Sequence, residues 1–264
     1  MNYFVTMLVV ALIISAIGFY KYVYFISLGY GFSVAAIGAA LLIVFRDRLS
    51  IGIVSLCLLF MIYGCRLSGY LLFRELKSAA YRSTMKKEIK DGKDVTFPVK
   101  CAIWITCGLL YACQTSPVLF RLQNGKKDEV VLIIGALIMC VGLIVESVAD
   151  IQKSASKKKN PGRFVDKGLF RIVRCPNYFG EMLFWTGVFV SGVSSMEGAL
   201  QWIIALLGYL GIIYVMFSGA RRLELRQNRN YGDDPEYREY VKKTPIMVPL
   251  IPLYSVADQK WLVG

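Results

Sequence analysis

Two groups of residues in this sequence have the types and spacing that chemistry needs. The first is Tyr63-Gly-Cys-Arg66-Leu-Ser-Gly-Tyr70-Leu-Leu-Phe-Arg74. On a helix, Tyr63, Arg66, Tyr70 and Arg74 fall on one polar stripe of an otherwise apolar segment. Charge at membrane depth is costly and ordinarily faces a cavity or a partner. Arg74, at the end of the segment, can instead reach the headgroups. An arginine one turn from a phenol favours the phenolate and makes the hydroxyl a stronger donor. The stripe therefore suits a proton or hydrogen-bond donor aimed into a lipid-accessible pocket. The bland alternative is a structural Arg66 bonded to backbone or to a carboxylate.

The second group lies further along the chain. Glu146 and Asp150 are one helical turn apart. Lys157-Lys-Lys159, Arg163 and Gly168-Leu-Phe-Arg171-Ile-Val-Arg174-Cys-Pro-Asn177-Tyr178-Phe-Gly-Glu181 follow, then Trp185. Asn177, Glu181 and Trp185 share a helix face. Cys175-Pro176-Asn177 reads as a helix start, and a helix N-terminus beside Arg171 and Arg174 suits an anion. Carboxylates suit ribose hydroxyls and amides; lysine and arginine suit phosphates. Three lysines alone are ordinarily a solvated or lipid-facing patch. The whole ordered series is more specific.

Composition narrows the chemistry. Among 264 residues there is no histidine. That excludes a Ser-His-Asp triad, an HExxH zinc site, a His-ligated haem and an imidazole base. Proton transfer falls to Tyr, Asp, Glu, Lys or Cys, and the 16 tyrosines are well placed to supply it. The seven cysteines are odd in number and form no CxxC pair, so buried thiols are expected, with neither a disulfide framework nor a metal site.

The elements that must hold these residues are membrane helices. The chain is 56% apolar with a mean hydropathy of +0.53, beyond the range of soluble domains. Seven runs approach the ~20 residues of a transmembrane helix: 3–20, 22–45, 51–73, 99–120, 130–149, 179–195 and 199–219. The first lacks a basic leader and a small-residue cleavage site, so it is expected to remain as a helix. With Lys100 counted at the mouth of its helix, 25 of the 31 Lys and Arg follow odd-numbered runs. Basic residues mark the cytoplasmic side. The expectation is an all-α integral membrane protein with seven spans, N-terminus outside and C-terminus in the cytoplasm. Segments 74–98 and 150–178 and the tail from 220 would form a cytoplasmic cap on a single domain, 1–264. Asn160-Pro161-Gly162 reads as a turn, and Pro245, Pro249 and Pro252 break the tail. The net charge of +13 is then mainly a topology signal, and no nucleic-acid-binding motif accompanies it.

The segment GLFRIVRCPNYFGE, with Glu146-x3-Asp150 upstream, resembles the C-terminal half of the steroid 5α-reductase superfamily. That group includes the sterol reductases and, more distantly, the isoprenylcysteine carboxyl methyltransferases. The likeness runs from about residue 55 to 253 and is nearest to bacterial 5α-reductase-like membrane proteins. It implies NADPH bound from the cytoplasmic side. Glu146 and Asp150 would contact ribose, amide or adenine, and Lys157, Arg163, Arg171 and Arg174 the phosphates. Asn177, Tyr178, Glu181 and Trp185 would wall the nicotinamide half, with Arg222 and Glu224 as further contacts. Tyr63, Arg66 and Tyr70 match the spacing of the family's catalytic segment. Tyr63 takes the place of the tyrosine that hydrogen-bonds the substrate ketone, Arg66 assists it, and Tyr70 lies on the substrate side.

The implied activity is NADPH-dependent reduction of a carbon–carbon double bond conjugated to a ketone in a lipophilic substrate. A metal-free monomer in a bacterial cell membrane would carry it out. Two departures stand out. The family pairs its catalytic tyrosine with a glutamate in an earlier helix, whereas here no glutamate precedes Glu75 and Asp47 is the only earlier acid. Cys175 also occupies a position where many relatives have histidine. An S-adenosylmethionine-dependent methyltransferase acting on a prenyl-cysteine or phospholipid would use the second group equally well but leave the tyrosine stripe idle. A non-catalytic lipid-binding or scaffolding protein is the third possibility.

Overall fold

Apolar segments with no water to bond their backbone must close hydrogen bonds internally, which selects helices. The computed structural model describes residues 2–77, 95–126 and 128–263, and among these there is no strand. The helices are α1 (Asn2–Ser15), α2 (Leu28–Val44), α3 (Ile51–Lys77), α4 (Phe97–Asn124), α5 (Glu129–Lys159), α6 (Pro176–Gly192), α7 (Gly198–Tyr231) and α8 (Pro235–Lys243). Short 3-10 turns extend α1 through Ala16–Phe19 and precede α2 at Tyr22–Phe25.

Among the described residues, six segments are long and apolar enough to cross a membrane: Asn2–Phe19, Tyr22–Val44, Ile51–Lys77, Phe97–Asn124, Glu129–Lys159 and Gly198–Tyr231. The chain is thus a multi-pass membrane protein. The remaining expected span, 179–195, corresponds to α6, which has 17 residues. At 1.5 Å per residue that helix is about 26 Å long, short of a hydrocarbon core of about 30 Å, and a 3-10 turn at Val193–Ser195 prolongs it.

The chain forms two compact units, one of residues 1–136 and 188–209 and the other of 137–187 and 210–264. In the first, α2 packs along α3, and α1 packs on α2 and α4. The α2–α3 crossing is close enough to exclude side chains. A Cβ at Gly31 would lie 2.7 Å from the Gly64 carbonyl oxygen, one at Gly64 2.8 Å from the Ala35 nitrogen, and one at Gly38 2.8 Å from the Cys57 carbonyl oxygen. Small residues let membrane helices approach in this way. Val34, Ile37, Leu41, Leu56 and Phe60 fill the core around them. Buried polar groups bond to backbone: Ser33 donates to the Ala11 carbonyl at 3.1 Å, Ser68 to Leu28 at 3.0 Å and the Trp104 indole to Leu12 at 2.8 Å.

The second unit repeats the device with different neighbours. A Cβ at Gly142 on α5 would fall 2.6 Å from the Gly180 carbonyl oxygen on α6, and one at Gly180 2.6 Å from the Glu146 nitrogen. Polar segments 150–178 and the tail pack together here. The Arg174 and Cys175 amides donate to the carbonyls of Pro245 and Ile246, each at 2.9 Å. Phe164 stacks on Tyr240 at 5.4 Å and meets Tyr237 edge-on at 5.2 Å. The expected turn forms at residues 161–162, and α8 ends at Lys243, before Pro245. Most of segment 74–98 lies outside the described residues.

Candidate functional site

The tyrosine stripe begins at a fully buried residue. Tyr63 is 0% exposed, and its hydroxyl lies 2.9 Å from that of Tyr30 on α2. The pairing follows from the glycine crossing, because Tyr30 and Tyr63 immediately precede Gly31 and Gly64, where the two backbones touch. The Tyr30 ring meets Tyr63 edge-on at 6.2 Å and lies against Tyr111 of α4 at 5.1 Å. Tyr111 is fixed in turn by donating its hydroxyl to the Phe25 carbonyl at 2.7 Å. Arg66 and Tyr70 are half-buried on the following turns of α3. Arg74 holds its guanidinium 5.6 Å from the centre of the Tyr70 ring, a cation–π contact.

Neither early acid reaches Tyr63. Asp47 is exposed on the turn after α2. Glu75 accepts from the Lys21 ammonium at 2.5 Å and the Tyr24 hydroxyl at 2.8 Å. It stands 12 residues beyond Tyr63, about 18 Å along the helix.

In the second unit the α5–α6 crossing places carboxylates instead. Glu146 and Glu181 are both buried, one turn from Gly142 and one residue from Gly180, and Trp185 is 1% exposed beside them on α6. Asp150 is half-buried one turn further along α5. α6 starts at Pro176. The Asn177 side-chain oxygen is shielded from water and has no hydrogen-bond partner among the described residues. The Tyr178 ring packs against α7, 3.3 Å from where a Cβ at Gly219 would stand.

The cationic candidates divide into two kinds. Three are engaged by the protein itself. Lys157 donates to the carbonyls of Pro161 and Arg163 at 3.2 and 2.5 Å and to the Tyr231 hydroxyl at 2.8 Å, which uses all three ammonium hydrogens. Arg163 bridges Glu236 at 2.5 Å and Asp166 at 2.9 Å, and these two carboxylates hold its pKa above the ordinary range. Arg174 is buried with Glu224 in an ion pair of 2.7 Å and also donates to the Tyr254 carbonyl. Glu224 accepts from the Val256 amide at 2.8 Å as well. Arg171 and Arg222, by contrast, are exposed. Four residues after Arg171, Cys175 is buried, and burial pushes its thiol up to about 12, so it stays neutral.

A cavity of about 380 Å³ opens in this unit where α5 runs into the following loop, lined by Gln152, Lys159, Asn160, Arg163, Asp166 and Lys167 among others. Lys167 and Tyr30 are not among the residues singled out by sequence. For Tyr30 the signal is the small-residue spacing Gly31-x3-Ala35 beside it. For Lys167 there is none beyond its charge. Arg121 of α4 also escapes notice: it is 1% exposed and donates to the carbonyls of Ser191 and Asp128 and to the Ser194 hydroxyl. The cysteines are all free: Cys57, Cys107 and Cys175 are buried, and Cys65 is exposed.

Residues 12–244 match the family DUF1295, described as a protein of unknown function. The chain is also similar to Steroid 5-alpha-reductase DET2 of Gossypium hirsutum, at 28% identity over 120 residues covering 44% of this chain and 41% of that protein. The protein of the same name from Arabidopsis thaliana is 37% identical over 57 residues, 21% of this chain and 22% of that one. The matches thus span less than half the length of these curated relatives. No solved structure matches. On the family match across residues 12–244, the chain belongs to DUF1295, a steroid 5α-reductase-like family.

Proposed function

We propose that this protein is a membrane reductase that uses NADPH to saturate the carbon–carbon double bond of a lipophilic enone, of the 3-oxo-steroid, sterol or isoprenoid type. The observation that carries this reading is the Tyr63 hydroxyl: fully buried, held by a second phenol, and one helical turn from Arg66. The residues of the second unit fit a dinucleotide. The unsatisfied Asn177 oxygen suits the N–H of a carboxamide or a ribose hydroxyl. Glu146, Asp150 and Glu181 supply further acceptors, and Trp185 and Tyr178 a wall for a flat ring. The ~380 Å³ cavity is within the range of small-ligand sites, and Lys159 and Lys167 on its lining suit a 2′-phosphate. Arg171 and Arg222 offer exposed guanidinium groups to the pyrophosphate. Arg163, engaged as it is, lines that cavity, while Lys157 and the Arg174–Glu224 pair tie the loop and the tail.

NADPH, when bound, supplies hydride to the β carbon of the enone. Tyr63 meets the ketone oxygen, where negative charge collects, with a hydrogen bond or a proton, and Arg66 favours that charge. One preorganised donor in a water-poor site is worth about 3–4 kcal/mol. The apolar faces of the bundle hold the substrate body and exclude water. We place this chemistry in a seven-span protein whose basic segments face the cytoplasm, with α6 as the sixth span in chain order.

The test is oxidation of NADPH by the purified chain in detergent with a panel of enones. Tyr63→Phe should lower kcat by about 10²–10³-fold. A folded protein that oxidises NADPH with none of the enones defeats the reading. A thermal midpoint raised by S-adenosylmethionine and not by NADPH would favour methyl transfer instead.

A further inference from the structure

The cations that the topology leaves over meet at one cavity. Of the 31 Lys and Arg, 25 follow odd-numbered apolar runs and Arg66 lies within α3. The remaining five are Arg46, Arg48, Arg121, Lys126 and Lys127. In the orientation proposed above they stand on the non-cytoplasmic side, where basic residues are disfavoured. Arg48, Arg121 and Lys126 line a cavity of about 400 Å³ in the first unit, at the end where α2 turns into α3 and α4 into α5. We propose that this cavity binds the phosphodiester headgroup of a membrane phospholipid, gripped by the exposed Arg48 and Lys126 and balancing the charge of the buried Arg121. The site is independent of the enone and NADPH reading.

Arg121 is 1% exposed. Its Nε donates to the Ser191 carbonyl and one Nη to the Asp128 carbonyl, each at 2.7 Å, and the other Nη to the Ser194 hydroxyl at 3.0 Å. All three acceptors are neutral. Among the described residues Arg121 makes no ion pair, and the Asp128 and Glu129 carboxylates act on it only at longer range. A guanidinium has five N–H groups, so two remain for a ligand. A buried charge is costly until an opposite charge and further hydrogen bonds meet it. A phosphate supplies both, and guanidinium groups match its geometry.

The acids nearby do not fill that role. Asp128 caps α5, accepting from the Val130 and Val131 amides at 3.2 and 3.5 Å. Glu197 pairs with Lys126 at 3.3 Å, but both side chains are about half exposed, so water and salt screen the pair. Glu129 lines the cavity, one carboxylate against three cations.

The other part of the wall calls for a lipid rather than a bare ion. Ile53, Leu122 and Leu132 line it. A Cβ at Gly52 would lie 2.7 Å from the Leu132 side chain, so the first turns of α3 and α5 touch there. Beside them Ile51, Val130 and Ile133 are exposed, as side chains facing acyl chains are. Basic pockets between membrane helices suit lipid headgroups. A phospholipid, charged at its head and apolar beyond it, matches both parts of the wall.

The test is thermal unfolding of the whole chain in detergent. It is titrated with phosphatidylglycerol, with diacylglycerol of the same acyl chains, and with inorganic phosphate. Phosphatidylglycerol should raise the midpoint saturably, and the other two should not. Arg48→Gln and Lys126→Gln should each weaken its apparent affinity about tenfold, as for a lost hydrogen bond to a charged group, and leave the lipid-free midpoint almost unchanged. Both variants spare Arg121, whose loss would also release the turn before α7. Lys77→Gln removes an exposed cation from the opposite end of α3 and should change neither quantity. An equal rise with diacylglycerol would reveal an apolar groove alone, and an equal rise with inorganic phosphate a site with no use for the lipid. Wild-type affinity in both cavity variants, or an equal loss in Lys77→Gln, would mean diffuse attraction to a basic surface. Any of these results, or no rise with phosphatidylglycerol, overturns the proposal.

Discussion

Two glycine crossings position the candidate residues, and they bury different kinds of polar group. Where α2 meets α3, the groups brought together are neutral: the Tyr30 and Tyr63 hydroxyls, with Ser33, Ser68 and Trp104 nearby bonded to backbone carbonyls. Where α5 meets α6, the groups are ionisable: the Glu146 and Glu181 carboxyls, with the Arg174–Glu224 pair buried in the same unit. The backbone device is the same. A hydroxyl costs little to bury once it has one partner, whereas a buried ion needs an opposite charge and further hydrogen bonds. The neutral crossing suits a donor to a nonpolar molecule in the bilayer, and the carboxyls of the other suit the hydroxyl and amide groups of a polar ligand.

The largest effect should come from breaking the buried pair. Arg174→Met leaves Glu224 with the Val256 amide but no cation, and removing one partner of a buried pair costs about 3–5 kcal/mol. Arg174→Met with Glu224→Leu should recover most of that loss. Thermal unfolding of the two variants checks this, and a double variant no better than the single one would mean that the pair is a hub for the tail rather than an isolated ion pair. No comparable loss is expected from Tyr30→Phe, where only a neutral hydrogen bond is removed.

The glycines come next. At Gly64 a methyl would meet the Ala35 backbone nitrogen at 2.8 Å, and at Gly180 the Glu146 nitrogen at 2.6 Å. Backbone cannot swing aside as a flexible side chain does, so the helices must part. Overpacking of this kind typically costs about 1–3 kcal/mol. The comparison sharpens in activity: Gly64→Ala should lower kcat by parting Tyr30 from Tyr63, and Gly180→Ala should raise the KM for NADPH. A KM effect from Gly64→Ala with kcat unchanged would reverse the assignment of the two crossings.

Much of the fold is legible in the sequence, and the reason is physical. A run of about 20 apolar residues has few fates other than a membrane helix, so each of the seven expected runs lies largely on a helix, although α5 and α7 run on to Lys159 and Tyr231, well past the expected ends at 149 and 219, and α6 is the short one. The Pro176 helix start, the turn at Pro161-Gly162 and the end of α8 before Pro245 follow from local backbone rules and are found where expected. Tertiary pairings are less legible. Arg174 and Glu224 are 50 residues apart, and their types alone fit a cofactor as well as they fit each other. Lys157 reads as a phosphate ligand until its three oxygen partners are seen. Tyr30 lies 33 residues from Tyr63. Only the glycines beside each residue hint that their helices cross there, and many glycines in membrane helices mark no such contact.

A buried amide on α4 offers a further test in the first unit. Gln114 of α4 is 2% exposed, and neither atom of its amide has a hydrogen-bond partner among the described residues. An unsatisfied buried amide costs about 1–3 kcal/mol. If it serves the fold alone, Gln114→Met should stabilise the protein by about 1 kcal/mol once the packing change is included, and so raise the thermal midpoint. A higher midpoint accompanied by a raised KM for the enone would instead show that the amide is kept for the substrate.

The smallest effect belongs to the exposed charges, and it bounds the comparison. Arg163 bridges Glu236 and Asp166, but its side chain is 39% exposed and that of Glu236 67%. Water and salt screen such a pair, so Arg163→Ala should cost about 0.2–1 kcal/mol, less as ionic strength rises. If Arg163 only shapes the loop, the affinity for NADPH should follow this small and salt-sensitive change. If its guanidinium also meets the cofactor phosphate, the loss of affinity should far exceed the loss of stability and should be much larger for NADPH than for NADH. Titrating both cofactors into the variant at low and high salt distinguishes a charge that holds the protein from one that holds its ligand.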